Sequence, residues 1–371
     1  MKSPEGYPGI SSAPRELDIG LTGKCNLKCR YCFYAESMEK AADLPTSDWL
    51  AFFREAGGLG VQKVCLSGGE VFVRKDLFEI IDGVIENRMR YSILSNGTLI
   101  DENVLSEFSK GKRRSRLDSI QISIDGSCAE IHDMSRPPRS FEKALNALKL
   151  LKKSNFPLTV RVTINRHNID DLENIATLLL DDVGLPGFST NEADYMGSAR
   201  CSGQDIILTV NERKRAMAAL VAINERCGGR IGAQAGPLSR ARMMKEITER
   251  VQRGETSMKG RGTFCSCGGV FSKMAVLHDG TYVPCNMLPT LVMGKMGEVS
   301  LREVWQTHPN INIVRERRKI PITEAEECRG CEYAGFCTGG CPGTVMSKTG
   351  MLNSIDPLVC YKKYLDEVKD D

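Results

Sequence analysis

The sequence predicts an α/β protein: a partial, TIM-like (β/α)6 barrel followed by a cysteine-rich C-terminal module. Three observations carry this. Short apolar runs alternate with amphipathic stretches from residue 16 to about 227, the order that builds a parallel sheet with helices outside it. Six such units fall short of the eight that close a barrel. From residue 263 the composition turns to cysteine, glycine and short segments, which marks a second module.

The expected strands are 17–22 (LDIGLT), 63–67 (KVCLS), 90–95 (RYSILS), 119–124 (SIQISI), 158–164 (LTVRVTI) and 187–195 (GFSTNEADY). Between them, SDWLAFFREAGG, RKDLFEIIDGVIENRM, DENVLSEFSK, SFEKALNALKLLKKS and DDLENIATLLLDDV space their apolar residues as amphipathic helices do, and NERKRAMAALVAINERCG follows the sixth strand. Residues 1–15 form an N-terminal extension and 228–262 read as a charged connector with a helix. The basic run KGKRRSR (110–116) precedes the fourth strand, so it belongs to the end of the sheet away from function and reads as a solvated loop.

Composition excludes several classes. Fifty basic residues against 47 acidic ones give no bulk signal for nucleic acid. The N-terminus lacks the apolar core of a signal peptide, and no run has the length of a membrane span. The expectation is a cytoplasmic protein with no membrane partner. In a reducing compartment, 15 cysteines are then the anomaly, because clustered thiols there bind metal more often than they form disulfides. Cys65, Cys128, Cys201 and Cys227 are scattered and read as small buried residues. The four histidines, 132, 167, 278 and 308, show no ligand spacing.

Cys25, Cys29 and Cys32, in CNLKCRYC, follow the first strand at the rim where α/β barrels concentrate function. A structural zinc site takes four protein ligands. Three thiolates on a four-iron cluster leave one iron open, the arrangement of a catalytic centre. CNLKCRYC resembles the C-x3-C-x2-C motif of the radical S-adenosylmethionine (radical SAM) superfamily, with the aromatic Tyr31 before its last cysteine. LSGGE (66–70) resembles the family's Gly-Gly-Glu segment, with Val71 in place of the usual proline. The resemblance implies that Gly68, Gly69 and Glu70 bind the amino group of SAM and that Asn96 of LSNGT contacts its ribose. It implies that Ser123 of ISIDG and Arg161 of TVRVTIN meet its carboxylate, with Arg136 of HDMSRPP as the competitor. Adenine would lie against backbone near Phe33. Asp125 reads equally as a cap or a ligand.

The C-terminal cysteines resemble the seven-cysteine SPASM extension of that superfamily. The resemblance assigns Cys328, Cys331, Cys337 and Cys360 to an outer auxiliary cluster, and Cys285 and Cys341 to an inner one with Cys267 and Cys265. In CSC (265–267) either cysteine satisfies the spacing to Gly280, so one is the fourth ligand or the inner cluster keeps an open iron. The implied cofactors are three iron–sulfur clusters, one of them SAM-binding and two auxiliary, together with SAM itself.

The implied activity is reductive cleavage of SAM to a 5′-deoxyadenosyl radical that takes hydrogen from a peptide or protein. The leading expectation is maturation of a ribosomally made peptide by crosslinking, thioether formation or epimerisation. For epimerisation, Cys201 and Cys227 are the thiols to weigh as hydrogen donors. About 16 residues precede the first strand, so a leader peptide would need a separate binding protein. A flavodoxin- or ferredoxin-type protein would supply electrons. The alternative is a formylglycine-forming sulfatase maturase, which resembles this chain but carries aspartate where Asn286 stands. From another class, a non-catalytic electron carrier would need no SAM pocket.

Overall fold

The protein, described here from a computed structural model, is defined over residues 9–38 and 42–365; residues 1–8 of the expected extension lie outside them. Six parallel strands follow the expected order: β1 Glu16–Thr22, β2 Lys63–Gly68, β3 Arg90–Ser95, β4 Leu117–Ser123, β5 Leu158–Ile164 and β6 Phe188–Glu192. One face of each strand is apolar. Leu17, Ile19, Leu66, Ile93, Ile120 and Val162 are fully buried against the helices. With a side-chain period of two, the opposite face presents Asp18, Cys65, Ser92, Gln121, Ser123, Arg161 and Ser189. Closed barrels fill this interior with bulky apolar side chains; small and polar ones leave a lumen instead.

The sheet has three more strands than the sequence announces. β7 Ile231–Ala233 lies parallel to β6, so residues 228–262 contain a strand before their helix, Gly236–Gln252. β8 Lys273–Val276 pairs in parallel with β1, Glu16 opposite Lys273, and β9 Tyr282–Val283 returns antiparallel to β8. The nine-stranded order β7-β6-β5-β4-β3-β2-β1-β8-β9 leaves its two end strands unpaired with each other, so the barrel is open on one side.

Residue 263 is therefore no break in the core. Val270, Met274, Tyr282, Trp305 and Val314 belong to the same buried cluster as Leu17 and Trp49. The Trp305 indole donates to the Ser11 carbonyl at 2.9 Å.

Two local expectations change. The sixth strand is shorter than 187–195, and the helix expected at 170–183 is α-helical over Leu172–Ala176 and π-helical over Thr177–Asp182. The basic run is largely exposed, as expected, but only its first three residues are loop. Arg113–Arg116 forms a helical turn in which Arg113 pairs with Asp82 at 2.6 Å and Glu107 at 2.8 Å, over the Phe78 ring. Arg114 stacks on Phe156.

Candidate functional site

The loop that carries Cys25, Cys29 and Cys32 leaves β1 at Thr22. Asp43 fixes its start, accepting from the Thr22 hydroxyl at 2.6 Å and the Gly23 amide at 2.7 Å. The end of β2 presses on the loop from below. The Gly69 amide donates to the Thr22 carbonyl and the Glu70 amide to the Lys24 carbonyl. A Cβ on Gly69 would lie 2.0 Å from the Lys24 carbonyl oxygen, and one on Gly68 2.5 Å from that of Thr22. The close approach these glycines permit is thus first of all that of the cysteine loop.

Glu70 is buried and accepts from the Ser95 hydroxyl (2.9 Å), the Asn96 amide (2.8 Å) and the Phe72 amide (3.3 Å). Burial raises its carboxyl above the usual range against these donors. It clamps the ends of β2 and β3 together. Asn96 in turn donates to Asn26 of the cysteine loop at 3.0 Å, and Asn26 donates to Thr98 at 2.8 Å.

On the other side of the loop, Asp125 is fully buried and organises the end of β4. It accepts from the Thr163 amide at 2.7 Å, from Arg136 Nε at 2.5 Å and from the Tyr31 hydroxyl. Burial pushes this carboxyl up, but Arg136 and the other donors outweigh it and hold it below the ordinary value. Arg136 also donates to Tyr31 (2.6 Å) and points Nη1 at the Cys29 sulfur, 3.9 Å away. The sequence alone gave Tyr31, Asn26 and Asp43 no such roles; their partners are distant along the chain.

Arg161 differs from Arg136. It lies opposite Ser123 in the β4–β5 register and makes only long contacts, 3.4 Å each, to Gln121 Oε1 and the Thr190 carbonyl. Among the described residues it has no carboxylate partner. Phe33 is 47% exposed, and the neighbouring Cys32 carbonyl accepts from the Ser198 amide. Gly197 (φ +53°) packs so closely there that a Cβ would lie 2.1 Å from the Cys32 carbonyl oxygen.

All 15 cysteines are free thiols. Burial pushes up Cys25 and Cys29, the latter to about 11; Glu70 and Cys32 add to it at Cys25, and Cys32 and Asp125 at Cys29. Cys328, Cys331, Cys337 and Cys360 line one recess. Cys267, Cys285 and Cys341 line a second, beside Asp18 and Lys273. Cys265 stands just outside that lining. Its sulfur accepts from the Cys267 amide at 3.2 Å, and both it and Cys267 raise Cys341, after burial. The same contact, from the amide two residues on, reaches Cys25, Cys285 and Cys337. Such donors favour thiolate.

Among the described residues no group of three or more His, Cys, Asp or Glu is arranged to hold a single metal ion. Thiols distributed around two recesses suit the larger core of a cluster rather than one zinc ion, whose sulfur ligands sit at about 2.3 Å. Of the scattered cysteines, Cys227 is buried as expected. Cys65 and Cys128 are half-buried, and Cys201 is exposed, on the segment that packs against the cysteine loop. His132 and His278 are buried and structural.

Two family descriptions match this chain: radical SAM superfamily over residues 19–179, and iron–sulfur cluster-binding domain (SPASM) over 265–332. The chain belongs to the radical SAM superfamily, in its SPASM group. It is a radical SAM enzyme of oxidoreductase type, with iron–sulfur and SAM-binding domains, and the electron-carrier alternative falls. An AdoMet-dependent heme synthase of Methanosarcina barkeri (strain Fusaro / DSM 804) is 26% identical over 362 residues, 95% of this chain and 98% of that protein. A PqqA peptide cyclase of Gluconobacter oxydans (strain 621H) is 26% identical over 367 residues, 97% and 94% of the two chains. In fold, Streptococcus suis SuiB bound to precursor peptide SuiA superposes with a TM-score of 0.73 at 18% identity, covering 94% of this chain and 76% of that one. No helix among the described residues is long and apolar enough to cross a membrane.

Proposed function

We propose that this radical SAM enzyme matures a ribosomally made peptide, forming a crosslink or thioether or inverting a residue. Three clusters serve it: one on Cys25, Cys29 and Cys32, an outer one on Cys328, Cys331, Cys337 and Cys360, and an inner one on Cys285, Cys341, Cys267 and Cys265. With SAM and an electron bound, the first cluster supplies a 5′-deoxyadenosyl radical that takes hydrogen from carbon. The protein's own residues position the reactants. Arg161 and Ser123 hold the SAM carboxylate, and the Gly68–Glu70 segment holds the amino group. Asn96 steadies the ribose side and backbone near Phe33 the adenine. The polar lumen under this rim orients one substrate carbon.

The observation that carries the peptide reading is the open side of the sheet, where the two end strands do not pair; an extended chain would reach the lumen from there. The full-length likeness to a PqqA peptide cyclase supports it. The maturase alternative is disfavoured because half-buried Asn286, whose Oδ1 is buried and unpartnered, is an amide and takes no proton at neutral pH. A second reading, a tetrapyrrole substrate, is favoured by the heme synthase likeness over 98% of that protein. We place the enzyme in the cytoplasm, reduced by a flavodoxin- or ferredoxin-type protein, with a separate leader-binding protein where its peptide carries a leader.

The test is co-expression with a short peptide encoded beside this gene, followed by mass measurement. Loss of two hydrogens supports crosslinking or thioether formation. One deuterium gained from heavy water, without other mass change, supports epimerisation, and Cys201→Ala then tests the exposed thiol. An unmodified peptide together with turnover of a porphyrin carboxylate, or of a sulfatase peptide to an aldehyde, overturns the proposal.

A further inference from the structure

Arg317 is fully buried, yet two of its donor nitrogens are idle. Its Nη1 donates to the Cys265 carbonyl, and its guanidinium lies over the Phe264 ring, 5.3 Å from the centroid. Nε and Nη2 are buried without any hydrogen-bond partner. Among the described residues no carboxylate pairs with it. Arg315, two residues earlier and equally buried, uses both Nε and Nη1: they donate to the Val270 and Trp305 carbonyls and to Asn312 Oδ1 at 2.7–2.9 Å.

An unsatisfied buried donor costs about 1–3 kcal/mol, and an uncompensated buried charge costs more. A fold carries such a cation when an anion faces it. Burial works against the Arg317 charge, and the groups that offset it are the Cys265 and Cys341 thiols, two of the sulfurs assigned above to the inner cluster. Hydrogen bonds to the sulfurs of an iron–sulfur cluster, and its net charge, set its reduction potential. Reduction adds one negative charge, so a fixed cation with N–H donors favours the reduced state.

We propose that Arg317 donates its free Nε–H and Nη2–H to the sulfur of the inner auxiliary cluster and thereby raises that cluster's reduction potential. Arg317 is a positioning and tuning residue; it touches no substrate. The same guanidinium holds the Cys265 carbonyl, two residues before Cys267 of the Cys267–Cys285–Cys341 recess. The inference rests on the reading that an inner cluster is present.

The experiment is an anaerobic redox titration of the reconstituted full-length protein, followed by electron paramagnetic resonance, with iron and sulfide counted in each sample. Cys285→Ala identifies the inner signal by its loss. Arg317→Met removes charge and donors while keeping bulk. It should load the same iron, with the inner signal shifted negative, so that the reduced fraction at a fixed potential falls tenfold or more, about 59 mV for one electron. Arg317→Lys, which keeps the charge but not the planar fork, should fall between. An unshifted inner midpoint in fully loaded Arg317→Met overturns the proposal, as does a shift confined to the outer signal. If Arg317→Met loads poorly, Arg317→Lys decides: a wild-type midpoint overturns the proposal, an intermediate one supports it. A wild-type protein with no signal that Cys285→Ala removes sinks the underlying cluster reading instead.

Discussion

Arg161 lies opposite Ser123 with no carboxylate beside it, whereas Arg136 already holds the buried Asp125 at 2.5 Å. A guanidinium committed to an internal carboxylate is a poor partner for a ligand's. Arg161→Ala should therefore weaken SAM binding roughly ten- to a hundredfold, the loss of one charge-assisted hydrogen bond of about 1.5–3 kcal/mol, with cluster iron unchanged. Arg136→Ala should strand Asp125 and cost about 3–5 kcal/mol of stability, read as lost iron and a lower unfolding midpoint. Anaerobic equilibrium dialysis with SAM, normalised to iron, separates the two; a larger affinity loss in Arg136→Ala would transfer the carboxylate to Arg136. The shared recess of Cys328, Cys331 and Cys337 was legible in the sequence because those cysteines lie close together along the chain. The Tyr31–Asp125–Arg136 network was not, because its members meet across 94 and 105 residues of chain and no local pattern encodes them.

At the scale of elements, the short helix Ala129–Ser135 is tied to the end of β4 through His132, whose Nδ1 accepts from the Asp125 amide at 3.1 Å. Burial, and then Arg136, depress this imidazole from 6.5 to about 4, while Asp125 and Asp133 pull the other way. Its folded-state value lies below its unfolded one, so the unfolded chain binds more protons between them. The stability from neutral His132 is present above about pH 6.5 and is lost as pH falls towards 4. From pH 7.5 to 5.5 the loss is about 1.4 kcal/mol. His132→Asn keeps an acceptor for the Asp125 amide but cannot titrate, so its stability should fall by that much less over the same range in anaerobic denaturant unfolding. Parallel pH slopes in the two proteins would exclude the buried-neutral state. Five of nine strands were legible because each repeats apolar residues over five or more positions, and β6, FSTNE, was legible from its place after a helix. β7 is three residues, IGA, in a charged segment, and β9 is two. Neither is long enough to show a period, and both exist because an existing edge offers unpaired backbone groups.

Across the whole molecule, the sequence divides barrel from auxiliary module by composition, while the structure joins them by sheet and core. β8 completes the hydrogen bonding of β1, the strand that carries the Cys25–Cys32 loop. The Tyr34 hydroxyl of that loop meets His278 Nδ1 at 3.1 Å. Val270, Met274, Val276, Tyr282, Leu288, Trp305, Ile311 and Val314 all enter the barrel's core cluster. Burying one such side chain contributes about 1.5–3 kcal/mol, and a domain's whole margin is about 5–15 kcal/mol. Losing eight, about 12–24 kcal/mol, is enough to erase that margin. A chain ending at residue 262 should therefore fail to melt cooperatively, should hold little iron and should not cleave SAM. The full-length variant Cys25→Ala, Cys29→Ala, Cys32→Ala should behave otherwise. Its lost thiols are only half-buried and lie on a loop, so it should melt as the wild type does and keep its auxiliary iron, while making no 5′-deoxyadenosine. Circular dichroism melts, iron counts and chromatography of the SAM products test both proteins together. A truncated chain that melts cooperatively and still cleaves SAM would show that the barrel is a folding unit of its own, with β8 an ornament on its edge rather than the strand that holds β1 and its cysteine loop in place.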